Sequence, residues 1–485
     1  MNTNTEKKEN IIAWCLVIIG AIVYISLVFN NNVWLDEAFT ASLVRTDMAG
    51  VLERSMADTL PPLYNILLKI STDIFGYKVP VMKLTSVVPM IITMILSATV
   101  VRKRHGILTS CLFTIALFTM PNLLFFGVEI RMYSLGFLFA TASGIYAYEF
   151  LVDYNKKNLI IFTVVSVLAG YSHHFAFVSA GFVYLFLLLY YIFAERENIK
   201  RWFICVGLTV VLYFPCLIVT LKQFKSVSGY FSMPDVTLPV FIKYMRYPYT
   251  VGNTVSSIIL LVSVFALVIY TCIKIYFSIK TSKKIDNSAN MSNNCPNCCM
   301  VDIYALAMFL VYYGVLVFGT IVSKIMTANI FVDRYLFFAH GMLWLFFAIE
   351  AGQFKKFYPI VVCILLFAGV CGYINEAKIE YDTNPDALIS FLDENVESGD
   401  VLYTIEDSEE MAFCLPFYDE GLTNYEDLDE ALAATESNES ELWLTVIDYS
   451  DYNFDELSDR NLNAEYVDTF TFDRYTFDMY KVVGE

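Results

Sequence analysis

Asp36 and Glu37 stand side by side in "VWLDEAF", residues 33–39, just after nineteen residues, 11–29, that carry no charge. A third acid, Asp58, follows in "ADTLPPLY". Carboxylates placed where an apolar run ends can take a proton from a hydroxyl, orient an acceptor or hold a divalent cation. A lone acid there would read as a solvated loop residue. Further along, "GVEIRMY" supplies Glu129, Arg131 and Tyr133, "YSHHF" supplies His173 and His174, and "VDRYL" supplies Asp333 and Arg334. Guanidinium groups offer paired donors to a phosphate, so the chemistry within reach is proton abstraction beside a phosphate leaving group. The competing reading of each arginine is an interfacial side chain reaching toward lipid headgroups. The histidines read as structural or acceptor-contacting rather than as metal ligands.

The elements that must position these groups are membrane helices. With 57% hydrophobic and only 17% charged residues among 485, the chain is too apolar for one soluble core. A bilayer core needs about 20 apolar residues per helix. Eleven stretches qualify: 11–29, 80–101, 107–127, 134–151, 158–172, 175–193, 202–220, 255–273, 302–322, 335–350 and 357–373. Residues 61–76 are ambiguous. Leu63, Ile66, Leu67, Ile70 and Ile74 form one stripe with Asn65, Lys69 and Thr72 opposite, the pattern of a helix lying along the interface. If it lies flat, the basic clusters at 102–104, 156–157, 196–201, 274–284 and 355–356 all fall on the inner side; if it spans, all fall outside. The positive-inside rule selects the first arrangement. The N-terminus is then cytoplasmic, and the first outer loop, 30–79, faces the extracytoplasmic side with its amphipathic helices. All the groups above then lie at that outer level of a cell (plasma) membrane.

Charge separates two bodies. Residues 374–485 hold 31 acidic and 4 basic residues, a net −27, whereas residues 1–373 carry a net +10. The expected division is a transmembrane module over 1–373 and a small acidic extracytoplasmic α/β domain over 374–485. In that domain a helix begins near Asn384-Pro385, "DVLYTI" and "ELWLTVID" alternate as strands, and "FTFDRYTFDMYKVV" reads as a hairpin. Its acidity reads as a solvated surface, with a cation- or wall-polymer-binding role as the alternative. Only Cys414 of the eleven cysteines lies in it, so no disulfide holds it together. Cys295, Cys298 and Cys299 would need a fourth ligand to hold zinc, and the one inner-side histidine, His105, is distant in sequence; the stretch reads as a polar loop with free thiols.

The order of "WLDEAF", "D-x-x-PPLY", "E-x-R-M-Y", "HHF" and "DRYL" between spans resembles the GT-C superfamily of membrane glycosyltransferases, in its protein mannosyltransferase and aminoarabinose transferase-like branch. The resemblance covers about residues 11–373, and a soluble outer C-terminal domain is similar to that of many bacterial members. It implies a GT-C-like fold and transfer of a sugar from a polyprenyl-phosphate donor to a glycan, lipid or protein acceptor outside the membrane, with inversion. It implies Asp36 as general base, with Glu37 and Asp58 beside it and Arg131 and Arg334 on the donor phosphate. The family often has histidine before the proline pair; here that position is Leu60. No nucleic-acid partner is expected. A divalent cation is the one cofactor left open. The alternatives are a transporter or flippase of lipid-linked glycans, against which stand the lack of internal repeats and the small number of charges in the middle of spans, and a membrane sensor with an outer binding domain.

Overall fold

The computed structural model describes residues 3–227, 235–251, 254–286, 296–325, 330–383, 385–405, 408–450 and 452–484. Cys295, with the side chains of Cys298 and Cys299, lies outside the described residues, as does Asn384. The protein is a polytopic helical membrane protein with a small C-terminal α/β domain. Each of the eleven apolar stretches carries helix. Eight described helices are long and apolar enough to cross a membrane, and a ninth span results if Ile107–Thr119 and Pro121–Val128, bent by 64°, count as one. The remaining two, Lys156–Ser172 and Phe337–Ala351, are only 17 and 15 residues long.

By contacts the chain forms two compact units. The first comprises Met1–Ser26, Ala49–Leu67 and Leu84–Ile374; the second comprises Leu27–Met48, Leu68–Lys83 and Asn375–Glu485. In the first unit the helices Tyr133–Val152 and Phe337–Ala351 form the centre, the latter buried along its whole length. Small polar side chains tie helices together there. Ser97 and Ser110 exchange hydroxyl-to-carbonyl bonds of 3.0 and 2.8 Å, and Thr114 donates to Ser97 at 2.8 Å. The bend has a covalent cause. Pro121 has no N–H to offer Leu117, four residues earlier, so that carbonyl loses its helical partner. The Tyr24 hydroxyl donates to it instead, at 2.7 Å.

The second unit holds a five-stranded sheet in the order β2-β1-β3-β5-β4. The strands are β1 (Val401–Thr404), β2 (Thr423–Tyr425), β3 (Leu442–Ile447), β4 (Leu462–Phe472) and β5 (Tyr475–Gly484). β1 pairs in parallel with β2 and β3, whereas β5 runs antiparallel between β3 and β4. The helices Glu409–Tyr418 and Leu428–Asn438 make the crossovers that parallel strands require. Strand β3 is buried at every position, as a central strand covered on both faces should be. The β4–β5 turn places Asp473 at φ 46°, a left-handed conformation that aspartate tolerates better than most residues.

Three short helices, Leu35–Leu43, Met48–Ala57 and Leu63–Phe75, occupy the first outer loop expected from sequence. The last has 13 residues, too few to cross a core of about 30 Å, and it exposes Leu67, Ile70, Ile74 and Phe75.

Candidate active site

Asp36 and Glu37 lie in the first turn of the Leu35–Leu43 helix, where carboxylates complement the positive end of the helix dipole. They do different things there. Glu37 is buried, and its carboxylate accepts from the Trp34 N–H at 3.2 Å, closing the first turn. Asp36 is partly exposed, and its backbone carbonyl accepts from the Thr40 hydroxyl at 2.9 Å. Of the two acids, Asp36 is the more exposed.

The chain before this helix is pinned within the second unit by side chains that the motif does not reveal. Asn32 donates to the carbonyls of Glu380 and Thr383 at 3.0 and 2.8 Å and accepts from the Asp473 N–H at 2.9 Å. The Tyr418 hydroxyl donates to the Asn31 carbonyl at 3.0 Å and accepts from the Val33 N–H at 3.3 Å. The Tyr475 hydroxyl accepts from the Leu35 N–H at 3.3 Å, and the Arg474 guanidinium sits 4.8 Å from the centre of the Trp34 ring. Beneath them Lys83 is buried, donating to Glu380 and, at 2.9 Å, to Asn30. Glu37 and Asp473 are within its electrostatic reach. The run "NNNVWLDEAF" offered one signal in retrospect: three successive asparagines before an acid pair are poor lipid-facing residues and good junctions.

In the first unit, Glu129, Arg131, His173, Asp333 and Arg334 sit where helices end. Glu129 follows the Pro121–Val128 helix, and the Arg131 N–H bonds back to the Glu129 carbonyl at 2.6 Å. Tyr133 opens the next helix and is buried. His173 caps His174–Phe193, its Nδ1 accepting from the Phe175 N–H at 3.0 Å, while its ring stacks on Phe338 with centroids 4.3 Å apart. Gly136 makes that stack possible, because a Cβ there would meet the Phe338 ring at 2.5 Å. Burial holds His173 well below the usual histidine range, and His174, Arg131 and Arg334 add positive charge around it. His174, Arg131 and Arg334 are thus within electrostatic reach of His173. Tyr247, which the sequence did not mark, joins them: burial pushes its phenol up, with Asp333, Glu129 and Tyr133 contributing.

Asp58 belongs to this unit rather than to the one that carries Asp36 and Glu37. Its carboxylate accepts from the Thr59 N–H at 2.6 Å. The loop it begins is held from behind. His174 Nε2 lies 3.2 Å from the Thr59 carbonyl, and Gln223 Nε2 donates to the Leu60 carbonyl at 2.9 Å. Just before the proline pair the backbone is thus held by His174 at Thr59 and by Gln223 at Leu60. Thr59, His173, His174, Thr220, Gln223 and Tyr335 contribute polar side chains to a mainly apolar cavity of about 420 Å³. Its remaining wall includes Phe175, Phe318 and Val322. Among the described residues no three histidine, cysteine or acidic side chains converge as a metal site would require.

No family model and no curated protein matches the chain. Among solved structures it is similar to ArnT from Cupriavidus metallidurans, in the apo state and bound to undecaprenyl phosphate. Both comparisons have 11% identity and a TM-score of 0.49, covering 96% of this chain and 97% of that one.

Proposed function

We propose that this protein is a membrane glycosyltransferase of the GT-C type that moves a sugar from a polyprenyl-phosphate donor to an acceptor hydroxyl outside the membrane. The observation that supports the reading is the difference in burial between the two acids of "WLDEAF": Glu37 is buried and closes its helix's first turn, and Asp36 is partly exposed at the end of an apolar run. In the proposed reaction the Asp36 carboxylate takes the acceptor O–H proton as the acceptor oxygen bonds to the anomeric carbon. The bond from that carbon to the phosphate oxygen breaks on the opposite face, and the polyprenyl phosphate leaves with the electron pair. Arg131, with Arg334 as the second group, stabilises the charge that grows on the departing phosphate. His173, held neutral, adds no competing positive charge but can orient a hydroxyl. A mainly apolar cavity beside the histidines suits an isoprenoid segment.

The test is turnover by the purified protein against a panel of radiolabelled polyprenyl-phosphate sugars. Asp36→Asn should retain donor binding and lose about 10²–10⁴ in rate, whereas Glu37→Gln should lose less. Near-normal turnover by Asp36→Asn would remove it as the base. The same reading places the second unit's sheet outside the cell. Burial shields Cys414 and pushes its thiol up, so it cannot report on this. Tyr449→Cys, at an exposed position, should instead react with an impermeant thiol reagent on intact cells. Labelling only after lysis would invert the orientation.

A further inference from the structure

The groups that fix the direction of the Leu35–Leu43 helix come from the C-terminal domain. A helix begins with backbone N–H groups that have no partner within it, and whatever satisfies them sets how the first turn is aimed. Here the Trp34 N–H goes to the helix's own Glu37, but the Leu35 N–H goes to the hydroxyl of Tyr475, the first residue of β5. Asp36 is the next residue. The neighbouring bonds repeat the pattern: Val33 N–H and the Asn31 carbonyl both use the Tyr418 hydroxyl, and Asn32 takes the N–H of Asp473 at the hairpin tip. Tyr475 and Tyr418 are aromatic rings anchored in the domain, Tyr475 against Phe472 and Tyr418 against Phe472 and Phe417, so each hydroxyl is delivered by a side chain with little freedom.

We propose that the β4–β5 hairpin and the Glu409–Tyr418 helix are a positioning device for the catalytic first loop, with Tyr475 and Tyr418 aiming Asp36 at the acceptor hydroxyl. This rests on the reading of Asp36 as the general base. A base works only within hydrogen-bond reach of its proton, and small displacements of reacting groups cost rate rather than binding. The C-terminal domain is then part of the transferase machinery and not an appended binding module.

The experiment uses the full-length protein in detergent and whichever labelled polyprenyl-phosphate sugar the panel shows to be turned over. Tyr475→Phe and Tyr418→Phe each keep the ring and remove the hydroxyl. Each should lower kcat about threefold to tenfold, the equivalent of one hydrogen bond, with the donor KM unchanged. Thr476→Ala, on the same hairpin but bonded to no first-loop residue by its side chain, should leave turnover unchanged. In an Asp36→Asn background, Tyr475→Phe should cause no further fall, because there is no base left to aim. An equal fall in both backgrounds, a rise in KM alone, or normal kcat in both tyrosine variants overturns the proposal. Normal turnover by Asp36→Asn itself is a different result: it removes the base assignment, and the positioning role with it. If Tyr475→Phe does not insert, Tyr418→Phe reads the same prediction through the neighbouring bonds.

Discussion

The segment that carries Asp36 and Glu37 is tied to residues 385 and 440 positions further along the chain, whereas the loops that carry Arg131, His173 and Arg334 are capped by their immediate neighbours. Arg131 bonds back to Glu129, His173 caps Phe175, and the Arg334 N–H bonds to the Asp333 carboxylate at 2.9 Å. The two regions therefore store their geometry differently. In the helical unit, a turn of three or four residues shapes each loop and aromatic packing holds it. In the second unit the stretch that leads into the Leu35–Leu43 helix takes its path mainly from a buried ionic and hydrogen-bonded frame. Damage to that frame should be felt by the whole unit, and damage to a helix-end loop only by the group it carries.

The largest effect expected from this difference is at Lys83. It and Glu380 are both buried, and Asn30 bonds to each, accepting from Lys83 and donating to Glu380 at 2.7 Å. Lys83→Met leaves the Glu380 carboxylate buried without its cation, which typically costs about 3–5 kcal/mol. Thermal unfolding in detergent should shift strongly downward. Adding Glu380→Gln should recover most of the loss, since replacing both partners of a buried pair is often close to neutral. A Lys83→Met protein as stable as the parent would mean that the frame does not hold the first loop, and the contrast between the units would fail.

Arg131 probes the other side of the contrast. Arg131→Lys keeps the charge but loses the planar pair of donors, so transfer should fall by about tenfold to a hundredfold, and Arg131→Ala by about 10²–10³. Because its loop is locally capped, neither change should move the unfolding midpoint as far as Lys83→Met does. Normal transfer by both variants would make Arg131 a headgroup anchor instead.

The same contrast explains what could be read from the sequence. The helical body was legible because most of its long helices carry about 20 apolar residues, whereas Lys156–Ser172 and Phe337–Ala351 are shorter than that. The α/β tail was legible at Val401–Thr404 and Leu442–Ile447 as short apolar runs between acidic turns, although both are buried at every position rather than alternating as expected, and at the β4–β5 hairpin, where β5 does alternate. Thr423–Tyr425 was not, since three residues give too short a pattern. The grouping of Arg131, the histidines and Arg334 followed from counting which helix ends share a face. The partners of "WLDEAF" could not be found that way. Tyr418 and Tyr475 look like any aromatic residue of a small domain, and nothing within a local window says that a hydroxyl 440 residues away will meet the Leu35 N–H. Asp58 was grouped with Asp36 and Glu37 by proximity in sequence, but the structure assigns it to the helical unit, its loop held by His174 and Gln223.

The smallest effect separates His173 as a neutral buried cap from His173 as a charged group. Its folded pKa lies below the unfolded value of about 6.5, so as pH falls below that value the unfolded chain takes up a proton before the folded one does. Stability contributed by the neutral ring is therefore complete above about pH 6.5 and is lost below it, by up to about 1.4 kcal/mol per pH unit until the folded value is reached. Arg131 and Arg334 act on the ring with positive charge and make its protonation harder still, and a proton on His174, itself disfavoured by burial, would act the same way. His173→Asn keeps an acceptor for the Phe175 N–H and removes the titration. At pH 7.5 the variant should be the less stable protein, having lost the stack on Phe338. Between pH 6.5 and 5 the gap in unfolding temperature should narrow, and the difference between the two proteins isolates His173 from every other group that titrates in that range. A gap that stays constant across the range would mean that folding leaves the protonation of His173 unchanged, and it would remove the neutral imidazole from the proposed site.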